Sequence, residues 1–165
     1  MRYGFKQTAQ IALGVTLLAS VSGTFAQAPP PDGTPISLEV AKRCIAAGEA
    51  ESVKNNWRMA IVVLDLGGHN VASIRMDGTQ FGSANVATQK AWSAIAYRRP
   101  TKVFEDIVAK GGEGLRILRL DGAVPVEGGV PIVVGGRMIG SVGASGGSAQ
   151  QDGLVAKACT DALAK

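Results

Sequence analysis

The chain has 165 residues, with 17 Lys and Arg against 13 Asp and Glu, a single histidine and a formal net charge of +4. The length suits about one domain, and so slight a basic excess, with no long Lys/Arg run, excludes the footprint of a nucleic-acid binder. One histidine cannot form a histidine metal pair and also serve as a base.

The first residues read as an export address. Arg2 and Lys6 precede an apolar run at 11–21 (IALGVTLLASV) that is too short to cross a bilayer as a helix. Thr24-Phe25-Ala26 then forms a cleavage window, with the cut expected between Ala26 and Gln27. Residues 1–26 are thus expected to be a signal peptide, leaving a periplasmic or secreted protein without a stable membrane anchor. The mature chain would have 139 residues and a net charge of +2. Residues 27–35 form a Pro-rich extended tail, since prolines disfavour helix and supply no backbone donors. Residues 36–165 form a single domain able to bury roughly two-thirds of its unfolded surface.

Ser37 is placed to cap a helix running to about Asn55, with Glu39 in the first turn, where the helix dipole favours a carboxylate. Residues 59–64 (MAIVVL) are a near-continuous apolar run, expected of a strand covered on both faces. Gly67-Gly68 suits a tight hairpin turn with positive φ, and residues 71–76 return as a second strand. Residues 83–98 (SANVATQKAWSAIAYR) form an alanine-rich helix that Pro100 stops. One side carries Val86, Lys90, Ala94 and Tyr97, and another Ala87, Ala91 and Ile95. Thr101 is expected to cap a short helix over 103–108, followed by a glycine-rich loop at 110–114 and an unassigned stretch at 115–120. Residues 130–134 and 138–144 flank Gly135-Gly136, the same turn dipeptide as in the first hairpin. Ser148 and Gln151 form a capping box for a last helix from Ala149 to about Ala164. The order α-β-β-α-α-β-β-α with two tight hairpins predicts an α/β fold of the α+β type, a mostly antiparallel sheet with helices packed on it.

Cys44 shares a helical stripe with Ala41, Ile45 and Gly48, and Cys159 one with Val155, Ala162 and Leu163. In terminal helices packed side by side the two thiols are candidates for a disulfide; the alternative is two separate buried thiols. The chain lacks a nucleophile elbow and a phosphate-binding P-loop. Residues 140–147 are a glycine-rich strand-to-helix turn whose amides, with the last helix's N-terminus, are a candidate carboxylate or phosphate site; close packing is the alternative. His69, just after the first Gly-Gly, is a candidate metal or haem ligand or else an exposed turn residue.

Four stretches together, VVLDLGGHNVASIRMDG (62–78), QKAWSAIAYRRPT (89–101), GGVPIVVGGRMIGSVGASGG (128–147) and the trailing Gln151-Asp152, resemble the GlcG/HbpS family of haem-binding proteins, also described as haem-degrading or as domain of unknown function 336. The resemblance spans essentially the whole mature chain. It implies a profilin-like domain assembling into homo-oligomers from dimers to octamers, haem as cofactor, and a part in haem or iron sensing or handling. The family's D-x-G-G-H histidine falls on His69, the candidate axial ligand of haem iron. Its basic positions fall on Arg75, Lys90, Arg98 and Arg99, of which Arg75, Lys90 and Arg98 are candidates for pairing with propionates. Met76, Phe81 and Trp92 are candidate apolar surface. With no second histidine, a sixth ligand would be methionine, water or a neighbouring subunit, and only eight aromatic residues preclude an extensive aromatic cage. Two other readings stay open: a haem-degrading or small-molecule enzyme using Lys90 and Arg98, and an oligomeric accessory module that binds a small carboxylate or a partner protein.

Overall fold

The computed structural model describes residues 28–164, so the expected signal peptide lies outside the described residues. The elements are α1 (Leu38–Lys54), β1 (Ala60–Leu64), β2 (Asn70–Arg75), α2 (Gly82–Tyr97), α3 (Thr101–Ala109), a 3₁₀ stretch (Gly112–Arg119), β3 (Gly129–Val134), β4 (Arg137–Ser145) and α4 (Ala149–Asp161). The four strands form one sheet in the order β2-β1-β4-β3, and every neighbouring pair is antiparallel. Among the described residues no helix is long and apolar enough to cross a membrane.

The apolar run at β1 takes the central position that such a sequence demands. All five of its residues are buried, because their side chains alternate between two helical layers. Ile61 and Val63 join the core formed with α1 and α4, whereas Ala60, Val62 and Leu64 meet Ala87 and Ala91 of α2. Within the first layer Cys44 of α1 and Cys159 of α4 are fully buried and joined as a disulfide. Both helix starts are capped by sequence-local groups: Ser37 Oγ accepts from the Val40 amide, and Ser148 and Gln151 form a reciprocal box.

α2 lies against the sheet almost backbone to backbone. Gly129 and Gly143 are register partners on β3 and β4, and a Cβ on either would run into the α2 carbonyl above it, Lys90 for Gly129 and Ala87 for Gly143. Ser141 Oγ donates to the Ala91 carbonyl at 2.8 Å, fixing the helix along the same strip.

Three expectations need correction, and the Pro-rich tail gains contacts that its sequence does not announce. The two Gly-Gly turns differ: Gly135 and Gly136 both have positive φ, as a two-residue hairpin requires, but in the first pair only Gly68 does. Thr101 does not cap α3. Its hydroxyl is buried and accepts the Gly129 amide at 2.9 Å, tying α3 to the start of β3. The stretch from 110 to 120 is largely a 3₁₀ helix rather than a loop. The Pro-rich tail is extended but docked: Gly33 N donates to Met138 O and Met138 N to Pro31 O, forming a short parallel bridge to β4 where β1 no longer covers it.

Candidate functional site

The β1–β2 hairpin is built around one carboxylate. Asp65 Oδ1 accepts the amides of Gly67 at 2.8 Å and His69 at 2.9 Å, and its own N–H donates to His69 O. These bonds, led by the His69 amide, hold the Asp65 carboxyl below the usual range. The same Oδ1 stands 3.5 Å from His69 Nδ1. Nε2 is therefore the outward nitrogen of an imidazole that is 82% exposed. A Cβ at Gly67 would stand 2.8 Å from Nδ1, so a side chain there would displace the ring from Asp65.

Trp92 of α2 flanks the turn. A Cβ on Gly68 would touch its indole at 3.2 Å, and one on Gly122 would collide with the benzene ring. The indole is thus held between two glycines and stays 38% exposed. On one side lies a 130 Å³ cleft with Leu66, Ile95 and Ala96. On the other is a 400 Å³ cavity with Gln89, Asp121 and Val124. Neither cavity is lined by a Lys or an Arg.

The candidate cations lie elsewhere. Arg75 ends β2, six residues from His69, and at about 3.3 Å per residue that separates them by roughly 20 Å, more than one macrocycle spans. Its Nη1 donates to Thr79 O at 2.8 Å, and with Met76 it lines a separate 640 Å³ groove. Lys90 is 1% exposed. Its ammonium passes Gly128, which has no Cβ to block it, and reaches Asp152 Oδ2 at 2.6 Å and Ala144 O at 3.3 Å. Burial pushes the Asp152 carboxyl up, and the opposing pull of Lys90 and the Gly147 amide is the smaller effect. Lys90 is therefore not available to a propionate. Arg98 sits in the left-handed conformation at the end of α2 and pairs with Asp32 of the docked tail, while Arg99 lies over the Phe104 ring. Lys90 and Arg98 line no common cavity. Phe81 is 88% exposed at the start of α2.

The glycine-rich turn at 140–147 offers no free anion cradle. The Gly147 amide donates to Asp152 Oδ1, Ser148 N to Gln151 Oε1 and Gln151 N to Ser148 Oγ. Its glycines serve the close-packing role instead.

Sequence reasoning missed Asp65, Asp152 and Asp32 as partners. Asp65 had a legible signal, an aspartate four residues before a histidine across a Gly-Gly turn. The other two lie 62 and 66 residues from their cations and have none. Among the described residues no group of three His, Cys, Asp or Glu is placed to hold a metal ion, so an iron at His69 would have to bring most of its own ligands.

Comparison with known proteins gives a consistent result. The family model described as haem degrading protein HbpS-like matches residues 36–161. Protein GlcG of Escherichia coli K12 is 43% identical over 110 residues, which are 67% of this chain and 81% of GlcG. The crystal structure of Klebsiella pneumoniae protein ORFY, from the DUF336 family, is similar with a TM-score of 0.72 and 28% identity, covering 84% of this chain and 97% of ORFY. The PduOC:Heme complex has a TM-score of 0.70 at 25% identity and covers 80% of this chain and 100% of that one.

Proposed function

This chain belongs to the HbpS-like family of haem-degrading proteins, and on that premise we propose that it binds haem with His69 as the axial ligand. The observation that carries the reading is the Asp65–His69 geometry. A carboxylate 3.5 Å from Nδ1 favours a proton on that nitrogen and leaves Nε2 facing out, resembling the way carboxylates orient metal-bound histidines. Bound haem would supply a redox-active iron whose behaviour follows its axial ligands and surroundings.

The residues around His69 fit the macrocycle's edge and the iron. Leu66 and Trp92 offer apolar surface in the cleft beside the Gly67-Gly68 turn, and neither flanking cavity carries a cation that would pair with a propionate. A sixth ligand would be water or come from a neighbouring copy; Met76 lies at the far end of β2 and does not serve. Exposed Leu115, Leu118, Leu120 and Val126, with Trp92, support a homo-oligomer. The buried Cys44–Cys159 bridge supports export to an oxidising compartment, in keeping with residues 1–26 as a signal peptide. Haem or iron handling outside the cytosol is the role this reading assigns. An enzyme built on Lys90 and Arg98 finds no support in the geometry, since one is sealed in an ion pair and the two share no cavity.

Hemin titration of the purified protein is expected to produce a Soret band that His69→Ala abolishes while far-UV circular dichroism stays unchanged. An undiminished band in that variant would sink the ligand assignment.

A further inference from the structure

We propose that the groove at the open end of the β1–β2 hairpin is a second binding site, for an organic carboxylate with an apolar or aromatic body. The groove measures 640 Å³, within the usual range for small-molecule sites. Its apolar wall is Val53, Trp57, Ile74 and Met76, and its cations are Arg58 and Arg75. Glu49 and Asp77 stand on the same rim, yet among the described residues neither guanidinium forms an ion pair. Arg75 commits only Nη1, to Thr79 O, and Arg58 lies across Gly78, where a Cβ would stand 2.6 Å from its Nη1. Gly78 has φ +74°, so the loop gives the Arg58 side chain room without strain.

Two guanidiniums without a carboxylate partner, beside an indole and a thioether, match a ligand that is anionic at one end and apolar at the other. A guanidinium fork complements a carboxylate in geometry as well as charge. The site lies at the opposite end of β2 from His69 and contains no imidazole, so it does not depend on the haem reading. It also differs from the glycine-rich turn, whose amides are already bonded.

The test is fluorescence titration of the full chain in a Trp92→Phe background, where Trp57 is the remaining tryptophan, with 3-phenylpropionate as ligand and 3-phenylpropionamide as its neutral counterpart. The acid is expected to change Trp57 emission saturably, and the amide is not. Arg58→Gln should weaken binding about tenfold or more, as the loss of a charge-assisted contact does, with no change in thermal midpoint because Arg58 holds no other element in place. Arg75→Lys, which keeps the charge and loses the fork, should also weaken it, and His69→Ala should leave it unchanged. No saturable response to the acid, equal binding of the amide, or indifference to both arginine variants would overturn the proposal. Displacement of the acid by hemin in the His69→Ala variant would give the groove to haem and overturn it too.

Discussion

Replacing Lys90 by Met should be among the most damaging single changes away from the β1–β2 hairpin, although Lys90 touches no candidate ligand. The side chains of Lys90 and Asp152 are 1% and 4% exposed, so neither group has water to fall back on. Met fills much of the same volume but removes the 2.6 Å bond to Asp152 Oδ2 and the bond to Ala144 O. Asp152 keeps the Gly147 amide on its other oxygen, which satisfies only part of a buried carboxylate. Breaking one side of a buried pair costs about 3–5 kcal/mol, which for a domain of this size lowers Tm by roughly 6–20 °C. Urea unfolding at neutral pH measures the loss directly. The lone carboxyl would titrate higher in the folded than in the unfolded chain, so protonation favours the fold. The deficit should be complete above the raised folded value and shrink as pH falls through it. Lys90→Met/Asp152→Leu, which removes both charges, should recover much of the loss. A single variant within about 1 kcal/mol of wild type, or a deficit that grows on acidification, would refute the account of this pair.

Three further outcomes follow from the same packing. Gly143→Ala should cost about 1–3 kcal/mol, toward the upper end because the obstacle is the Ala87 carbonyl and not a side chain; Gly82→Ala, with open space around its Cβ, should cost nothing measurable in the same denaturation series. Cys44→Ala/Cys159→Ala releases a constraint across a separation of 115 residues and should lower unfolding free energy by about 4.8 kcal/mol in the chain-entropy treatment, measured in urea without reductant. Asp65→Asn keeps an acceptor for the two turn amides but loses the charge beside Nδ1, and hemin affinity by absorbance titration should fall roughly tenfold to a hundredfold. In the unsubstituted protein the Asp65 contribution should hold above the ordinary aspartate range and fade only as pH drops through its lowered value.

The element order and both hairpins were legible because their signals are local. A continuous apolar run marked the doubly covered β1, and Ser148 with Gln151 marked the start of α4. Of the two sides read on α2, Ala87, Ala91 and Ile95 are all buried, and so are Lys90 and Ala94 of the other. What escaped was tertiary. Lys90 falls among alanines on a helix, and nothing nearby in the chain says that its ammonium will reach past Gly128 to α4. Gly67-Gly68 and Gly135-Gly136 are identical dipeptides, yet Asp65 recruits two amides and lengthens the first turn. Thr101 follows Pro100 as a helix cap would, but its hydroxyl finds Gly129 instead. His69 was visible as the lone imidazole. The anchoring of its backbone by Asp65 and the packing of its turn against Trp92 required the fold, and so did the distance that removes Arg75 from its reach.

The docked segment before α1 has a consequence for solubility. Met138 is in register with Val133 on β3, while its N–H and C=O are bonded on the other side to Pro31 and Gly33, and the Ile139 carbonyl is taken by Ile36. Peeling residues 31–36 from the sheet would leave a short ledge of unpaired backbone donors and acceptors, open to strand addition by another molecule. Pro31 and Pro35 limit what the segment itself can template, because they carry no donor of their own. The stretch thus acts as an edge guard, closing β4 while offering a poor surface for further strands.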